Sequence, residues 1–382
     1  MKIAHVIPAL TSGGAERVVV DLANAGIEAG HEMTVIAAVP AAPELVVRRL
    51  RPEVKRVYVG NRSVRDSYLR LVPWLVRNRR WLFQQDIVHC HLTFGSLFGA
   101  VLQRMRSVLR SLGPAVVETY HAVGVAIPNL DRAVHARLMK GRDAIAFMAE
   151  DPYWRRYANA RPAGAALTIP NGIAAPRRAS EEAVASYRQH AGIPPWAKVI
   201  GTVSRLVPER RPQLLLLAFA EIARQLGPDV HMLIGGEGPE RGALELMLRQ
   251  LDIEEQVHMP GLVLDPAEPI GALDLFLTIN VGPITGIAAL EAVILGRPVI
   301  AVQLLDDYRM APDDWIWSSS DPHAVAAEAV RLLKKDEARE ALAKAQQAHA
   351  QVHHGVDRMA DAYYALYREV LDKRSVNVGS GA

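Results

Sequence analysis

Residues 280–302 read N-V-G-P-I-T-G-I-A-A-L-E-A-V-I-L-G-R-P-V-I-A-V, and that order of residue types leaves few folds open. Gly282 and Gly286 precede a helical pattern carrying one acid, Glu291. Gly296-Arg297-Pro298 closes it, and the apolar run 299–302 follows. Glycine and proline punctuate the chain, and short β-branched runs form buried strands. The segment is therefore read as loop, helix, tight turn and strand. Backbone N–H groups at such a helix start can hold a phosphate, and a carboxylate one or two turns in can accept hydrogen bonds from a ribose diol. The chemistry expected is that of a nucleotide-sugar or dinucleotide site. The plainer reading is an ordinary helix-to-strand turn with a solvated glutamate.

The same alternation recurs along the whole chain. Residues 2–9 are strand-like, Thr11-Ser12-Gly13-Gly14 breaks the pattern, and 15–29 reads as a helix with Val18, Leu22, Ala25 and Ala29 on one face. Gly30 caps it and 33–39 is the next strand. Further strands are expected at 54–59, 87–91, 115–120, 144–148, 167–169, 199–203, 230–234, 257–259 and 275–279, with helices between most of them. Near-continuous apolar strands of this kind belong to parallel sheets covered on both faces. Residues 170–176 are the linker, a second α/β series begins at Lys198, and long helical patterns run from 322 to about 373. The layout expected is two doubly wound domains, with ligand at the carboxyl ends of the strands.

Composition narrows the class. The 382 residues suit two or three domains, and half of them are hydrophobic, enough for a sizeable core. One cysteine, Cys90, excludes a disulfide framework within the chain and fits a reducing cytosol. The apolar start is too short for a signal peptide, and no run reaches the roughly 20 apolar residues of a membrane span. Charge is uneven: residues 1–175 hold 23 Lys and Arg against 13 Asp and Glu, whereas the remainder holds 21 against 28. The first half is thus expected to meet an anionic partner. Its basic density peaks over residues 62–83, where Arg62, Arg65, Arg70, Arg77, Arg79 and Arg80 interleave with Tyr68, Trp74, Trp81 and Phe83. Such a segment suits the surface of an anionic membrane, here the inner face. The alternative is a basic surface helix whose tryptophans belong to the core. Nucleic acid is not expected, since neither a basic finger nor an RNP-like motif is present.

Three more loops have site chemistry. Thr11 to Glu16 lies between the first strand and helix, where glycines allow close approach of a ligand. Gly201-Thr202-Val203-Ser204-Arg205-Leu206-Val207-Pro208-Glu209-Arg210 ends a strand with two arginines, whose guanidinium forks suit pyrophosphate. Gly235-Gly236-Glu237-Gly238-Pro239 turns another strand into a helix. His89 and His91 flank Cys90, but successive strand residues point to opposite faces, so the three do not converge on a metal.

On these segments, together with Asp86-Ile87-Val88-His89-Cys90-His91, Glu118-Thr119-Tyr120-His121, Ile169-Pro170-Asn171-Gly172-Ile173 and Leu290-Glu291-Ala292, the chain resembles glycosyltransferase family 4. The likeness covers residues 1 to about 372. It implies an α/β fold of the GT-B type, two Rossmann-like domains facing across a cleft: 1–172 for the acceptor and 173–357 for the nucleotide sugar. A helix, 358–374, packs back on the first domain, and 375–382 is a flexible tail. It implies a retaining, metal-independent transfer of a hexosyl unit from a UDP- or GDP-sugar to a lipid-linked or saccharide acceptor in cell-surface polysaccharide synthesis. The enzyme is then cytoplasmic and peripheral at the inner membrane, with no cofactor. By position, His121, Arg205 and Arg210 are the catalytic residues. Gly14, Gly236, Gly238, Thr285, Gly286, Ile287 and Glu291 hold the donor, and Gly13, Glu16 and His91 lie on the acceptor side.

The chain departs from the family pattern at three places. Pro283 stands where the first of two glutamates is usual, Arg210-Arg211 replaces a Lys-Gly pair, and Ala174 replaces an Asp. Proline supplies neither carboxylate nor N–H. Asn280, Thr285 or the amides of 284–287 are the expected compensation. An alternative is a catalytically silent GT-B protein that binds nucleotide or glycan as an accessory subunit. An NAD-linked oxidoreductase is disfavoured, because the G-x-G-x-x-G fingerprint and its following acid are missing.

Overall fold

The structure is a computed structural model that describes residues 1–11, 13–40, 47–121, 134, 136–149, 164–263, 265–280, 285–304 and 315–379. The chain divides into two compact units, Met1–Ile173 with Val356–Ala382, and Ala174–Gly355. The passage from one to the other falls inside the proline-bounded segment 170–176.

The first unit contains β1 (Lys2–Ile7), α1 (Gly14–Glu28), β2 (Glu32–Ala37), β3 (Lys55–Tyr58), α2 (Val64–Leu82), β4 (Ile87–His91), α3 (Leu92–Leu109), β5 (Ala115–Tyr120), β6 (Ala144–Phe147) and β7 (Ala165–Thr168). Its strands form one parallel sheet in the order β3-β2-β1-β4-β5-β6-β7. Side-chain alternation sorts the central strands into two faces. Ala4, Val6, Val88, Cys90 and Val116 pack against Leu71, Leu75, Phe94 and Phe98 of α2 and α3. The other face carries His5, His89, His91 and Thr119.

The second unit contains α4 (Glu181–His190), β8 (Lys198–Val203), α5 (Gln213–Leu226), β9 (Val230–Gly235), α6 (Arg241–Gln250), β10 (Val257–Gly261), α7 (Ala267–Gly271), β11 (Leu275–Asn280), α8 (Ile287–Ile294), β12 (Val299–Gln303), β13 (Ser318–Ser319), α9 (Pro322–Lys334) and α10 (Asp336–His353). Its sheet runs β10-β9-β8-β11-β12-β13, also parallel, and the order in which strands are added reverses between β8 and β11. Ile200, Leu277, Ile300 and Val302 face α5 and α9, while Val199, Phe276, Val299 and Ala301 face α8. Ligands of doubly wound sheets collect at the carboxyl edge beside such a reversal.

The last helix, α11 (Val356–Gly379), belongs to the first unit, where Tyr364 Oη donates to the Leu22 carbonyl of α1 (3.2 Å). The tail expected from residue 375 is instead helical as far as Gly379. Arg374 anchors the helix end on the Gly113 carbonyl (3.0 Å), and Ser375 Oγ donates to the Asp372 carbonyl (2.7 Å). No helix among the described residues is long and apolar enough to cross a membrane.

Candidate active site

In the second unit, β8 delivers Arg205 and Arg210 to the carboxyl edge of the sheet. After Val203 the chain turns through Ser204, whose N–H donates to the Gly235 carbonyl (2.9 Å), and Leu206, whose N–H donates to Glu237 (3.0 Å). These bonds draw the loop after β9 tightly against the Arg205 loop. A Cβ on Gly236 would stand 1.9 Å from the Ser204 carbonyl oxygen, and one on Gly238 would stand 2.1 Å from that of Leu206. No side chain fits at either place. The Gly236 N–H itself donates to the Gly261 carbonyl (2.8 Å), so this glycine shapes the arginine loop and keeps no N–H for a phosphate.

The two arginines carry unbalanced charge. Arg205 is exposed, and Arg210 is half-buried with Nη1 3.5 Å from the Ile279 carbonyl. Among the described residues neither meets a carboxylate. Burial, and after it the charge of Arg205, lowers the pKa of the Arg210 guanidinium. Two cations held close without an acid form a site for an anion, and bidentate guanidinium forks match phosphate oxygens. Arg211, in the usual place of a glycine, adopts φ = +43°.

Across the sheet reversal, β11 leads to α8. Gly286 is its N-cap, at φ = −65° and ψ = 149°, and a Cβ there would meet nothing within 4 Å. Neither backbone nor packing demands a glycine. The first-turn N–H groups beginning at Ile287 have no partner within the helix and can meet an anion. Thr285 is buried beside this start, and Glu291, one turn further in, is 6% exposed. Gly282, Pro283 and Ile284 lie outside the described residues.

The first unit has a buried polar cluster on one face of its sheet. β1 and β4 run in register, which sets His5 directly opposite His89. His5 Nδ1 lies 3.0 Å from His91 Nε2, and His91 Nδ1 lies 2.8 Å from His121 Nε2 at the end of β5. His89 is held between Tyr367 Oη at Nδ1 (2.6 Å) and Thr119 Oγ1 at Nε2 (2.7 Å), and Thr119 in turn meets Tyr363 Oη (2.7 Å). Burial pushes His5 down to about 3 and His121 to about 4, with His89 held well below the ordinary value by burial and then by His5 and His121, and His91 by burial and then by His89, His121 and His5. All four rings are therefore neutral at neutral pH.

The ring nitrogens of His5, His89 and His91 come within 4.8 Å of one another, a spacing that three metal-bound imidazoles also adopt. The donor set does not fit an ion well. Both nitrogens of His89 already face oxygen partners, and the His5–His91 approach is that of a direct hydrogen bond. Cys90 points to the opposite face, where burial raises its thiol to about 12.

Around the first βα loop, Gly13 is the N-cap of α1, and Gly14 is exposed in its first turn. The Glu16 carboxylate folds back to accept from Thr11 Oγ1 (2.9 Å), so this acid latches the loop. Ser12 lies outside the described residues. Glu118 on β5 is likewise structural: it accepts from Ser96 Oγ and from Arg142 Nε (2.7 Å) in the interior.

The basic segment 62–83 is largely α2. Leu71, Leu75 and Leu82 are buried, and Trp74 and Trp81 are half-buried against the core. Leu69, Val72 and Val76 are exposed by 84%, 53% and 47% in a helical stripe, with the exposed Arg65, Arg77, Arg79 and Arg80 on the same helix.

His5, Tyr363, Tyr367 and Gln303 were not among the residues expected from sequence. The signal for His5 is its place on β1, visible only once β1 and β4 are known to be neighbours in register. Gln303 is a polar residue ending an apolar strand.

Comparison with known proteins agrees with this layout. Residues 12–177 match the model described as Glycosyltransferase Family 4, and residues 184–349 match the model described as Glycosyl transferases group 1. A phosphatidyl-myo-inositol mannosyltransferase of Mycobacterium leprae is 27% identical over 86% of each chain. The GDP-mannose-dependent alpha-(1-6)-phosphatidylinositol monomannoside mannosyltransferase of Mycolicibacterium smegmatis is 30% identical over 71% of this chain and 72% of its own. Among solved structures, Anabaena HepE in complex with UDP and glucose superposes with a TM-score of 0.78 at 18% identity, covering 97% of this chain and all of the other. WaaG, a glycosyltransferase involved in lipopolysaccharide biosynthesis, superposes with a TM-score of 0.69 at 17% identity, covering 96% and 99%. The two parallel α/β units, the arginine and glycine loops at their strand ends and the matches to both halves carry one conclusion: the chain is a glycosyltransferase of family 4, with the GT-B fold.

Proposed function

We propose that this glycosyltransferase is a retaining enzyme that moves a hexosyl unit from a UDP- or GDP-sugar to a lipid-linked or saccharide acceptor, without a divalent metal. The single observation that carries the reading is the pair Arg205 and Arg210, two like charges near enough to act on one another, neither of which meets a carboxylate among the described residues. The second unit holds the donor: the arginines meet the diphosphate, the start of α8 meets a phosphate oxygen, and Glu291 accepts from the ribose hydroxyls. In the reaction the bond from the anomeric carbon to the β-phosphate oxygen breaks, and the acceptor oxygen bonds that carbon on the same face. The acceptor proton passes to the departing phosphate. Charge grows on that phosphate as the bond breaks, so fixed cations stabilise the transition state more than the ground state. His121 hydrogen-bonds the transferring sugar as a neutral imidazole.

The first unit is the acceptor side, with Gly13, Gly14 and His91 near it. The stripe Leu69, Val72 and Val76 with its arginines rests on the anionic inner face of a membrane, apolar side chains entering the interface and guanidinium groups meeting lipid phosphates. Relatives whose names specify phosphatidylinositol acceptors support a lipid-linked substrate.

The test is release of sugar from UDP- and GDP-sugars, alone and with anionic vesicles carrying membrane lipid extract. The reading expects turnover of one nucleotide class, faster with extract, and vesicle binding that weakens with salt. Nucleotide binding with no turnover under any of these conditions would favour the silent accessory subunit, for which Pro283 is the sequence argument.

A further inference from the structure

We propose that the side-chain amide of Gln303 reads a hydroxyl group of the bound nucleotide sugar at the start of α8. The inference rests on the reading of the second unit as the donor side.

Gln303 is the last residue of β12 and is 5% exposed, yet neither its Oε1 nor its Nε2 has a hydrogen-bond partner. Among the described residues it is the one side-chain amide with both polar ends orphaned. The same unit shows how a structural glutamine is held. Gln346, 1% exposed, accepts from the Val299 N–H (2.8 Å) and donates to the carbonyls of Val299 (2.8 Å) and Trp315 (3.1 Å). A buried amide left unpaired is costly, so a chain that keeps one has another partner for it.

Strand alternation says where that partner arrives. Val299 and Ala301 share a face with Ala289, Ala292 and Val293 of α8, whereas Ile300 and Val302 belong to the opposite cluster. Gln303 therefore lies on the α8 face. On the neighbouring strand Phe276 lies on that face too, and so does Asn280, which pairs in register with Gln303. Both amides stand at the carboxyl edge, where α8 begins beside Gly286, a residue whose Cβ position is open. A carboxamide presents an acceptor and two donors. A phosphate satisfies only its N–H groups and a cation only its oxygen, but a sugar hydroxyl accepts and donates at once. The hydroxyl belongs either to the ribose or to the transferred sugar.

The experiment titrates the full-length protein and its Gln303→Met variant with UDP, GDP, UDP-glucose and GDP-mannose by calorimetry, and measures their thermal midpoints without ligand. Methionine keeps the unbranched shape and removes the polar ends. The expected result is an equal or higher midpoint with about tenfold weaker binding. Weakening with the nucleoside diphosphate alone identifies the ribose, and weakening only with the intact sugar nucleotide identifies the transferred sugar. Unchanged affinity overturns the proposal, whether the midpoint holds or falls. If Gln303→Met is too unstable to titrate, Gln303→Leu, which also removes both polar ends and adds no charge, is held to the same affinity criterion. Wild-type protein that binds none of the four overturns the donor reading and this proposal together.

Discussion

His91 bridges His5 and His121, with ring nitrogens 3.0 Å and 2.8 Å apart. A neutral imidazole has one N–H and one lone pair, so three rings in series orient their protons together. The tautomer of His121, and with it whether its free edge donates or accepts, is set by His91 and His5 behind it.

His121→Ala should lower turnover at least tenfold, a loss typical of a group that hydrogen-bonds the reacting sugar. His91→Leu should lower kcat several-fold with little change in the donor KM, because it acts through His121. His91→Asn, whose amide reaches toward the same neighbour as Nδ1, should recover part of the loss. Steady-state kinetics of the three variants decides; equal rates for His91→Leu and wild type would remove His91 from the site.

Acid should unfold the protein through the same rings. His5, His89, His91 and His121 titrate below the ordinary histidine value because they are buried, so the unfolded chain binds more protons than the folded one as pH falls below about 6.5. Their stabilising contribution is complete above that pH and is lost progressively on acidification. At pH 5 each ring that stays neutral costs about 2 kcal/mol relative to neutral pH. The melting temperature should fall from pH 7 to pH 5, and His5→Leu should flatten the decline. A melting temperature independent of pH over this range would contradict the neutral cluster.

The fold was legible because its signals are periodic. Apolar strands alternating with helices required parallel sheets, and β4 and β5 lie where the pattern placed them. β13, two serines, carries no apolar pattern and depends on pairing with β12. Motif positions located the arginine loop and α8, but not the partners of each side chain. Glu16, expected on the acceptor side, bonds Thr11, and Gly236, expected among the residues that hold the donor, gives its N–H to Gly261. His5 and Tyr367 join His89 from 84 residues before it and 278 residues after it, through strand order and the return of α11. Such convergence is a property of topology, which local residue types do not encode.

Arg211→Gly should stabilise the protein by about 0.5–1 kcal/mol. At φ = +43° an L side chain crowds its own backbone, and glycine relieves this at some entropic cost in the unfolded chain. Chemical denaturation of the pair measures it, and a destabilised variant would mean that the Arg211 side chain contributes packing larger than the strain.

Turnover should survive chelation. On the proposed reading Arg205 and Arg210 neutralise the diphosphate, and both His89 nitrogens and the His5–His91 pair already have hydrogen-bond partners. Rates in excess EDTA should match those in buffer, and a loss restored by magnesium or zinc would show that an ion performs part of the work assigned to the arginines.

The most direct test of the account is the rate of sugar-nucleotide turnover by wild-type protein and by Arg205→Ala, measured side by side with each variant shown to be folded. The arginine pair as the seat of leaving-group stabilisation predicts measurable turnover by the wild type and a loss of at least tenfold in the variant. Equal rates in the two proteins would contradict it.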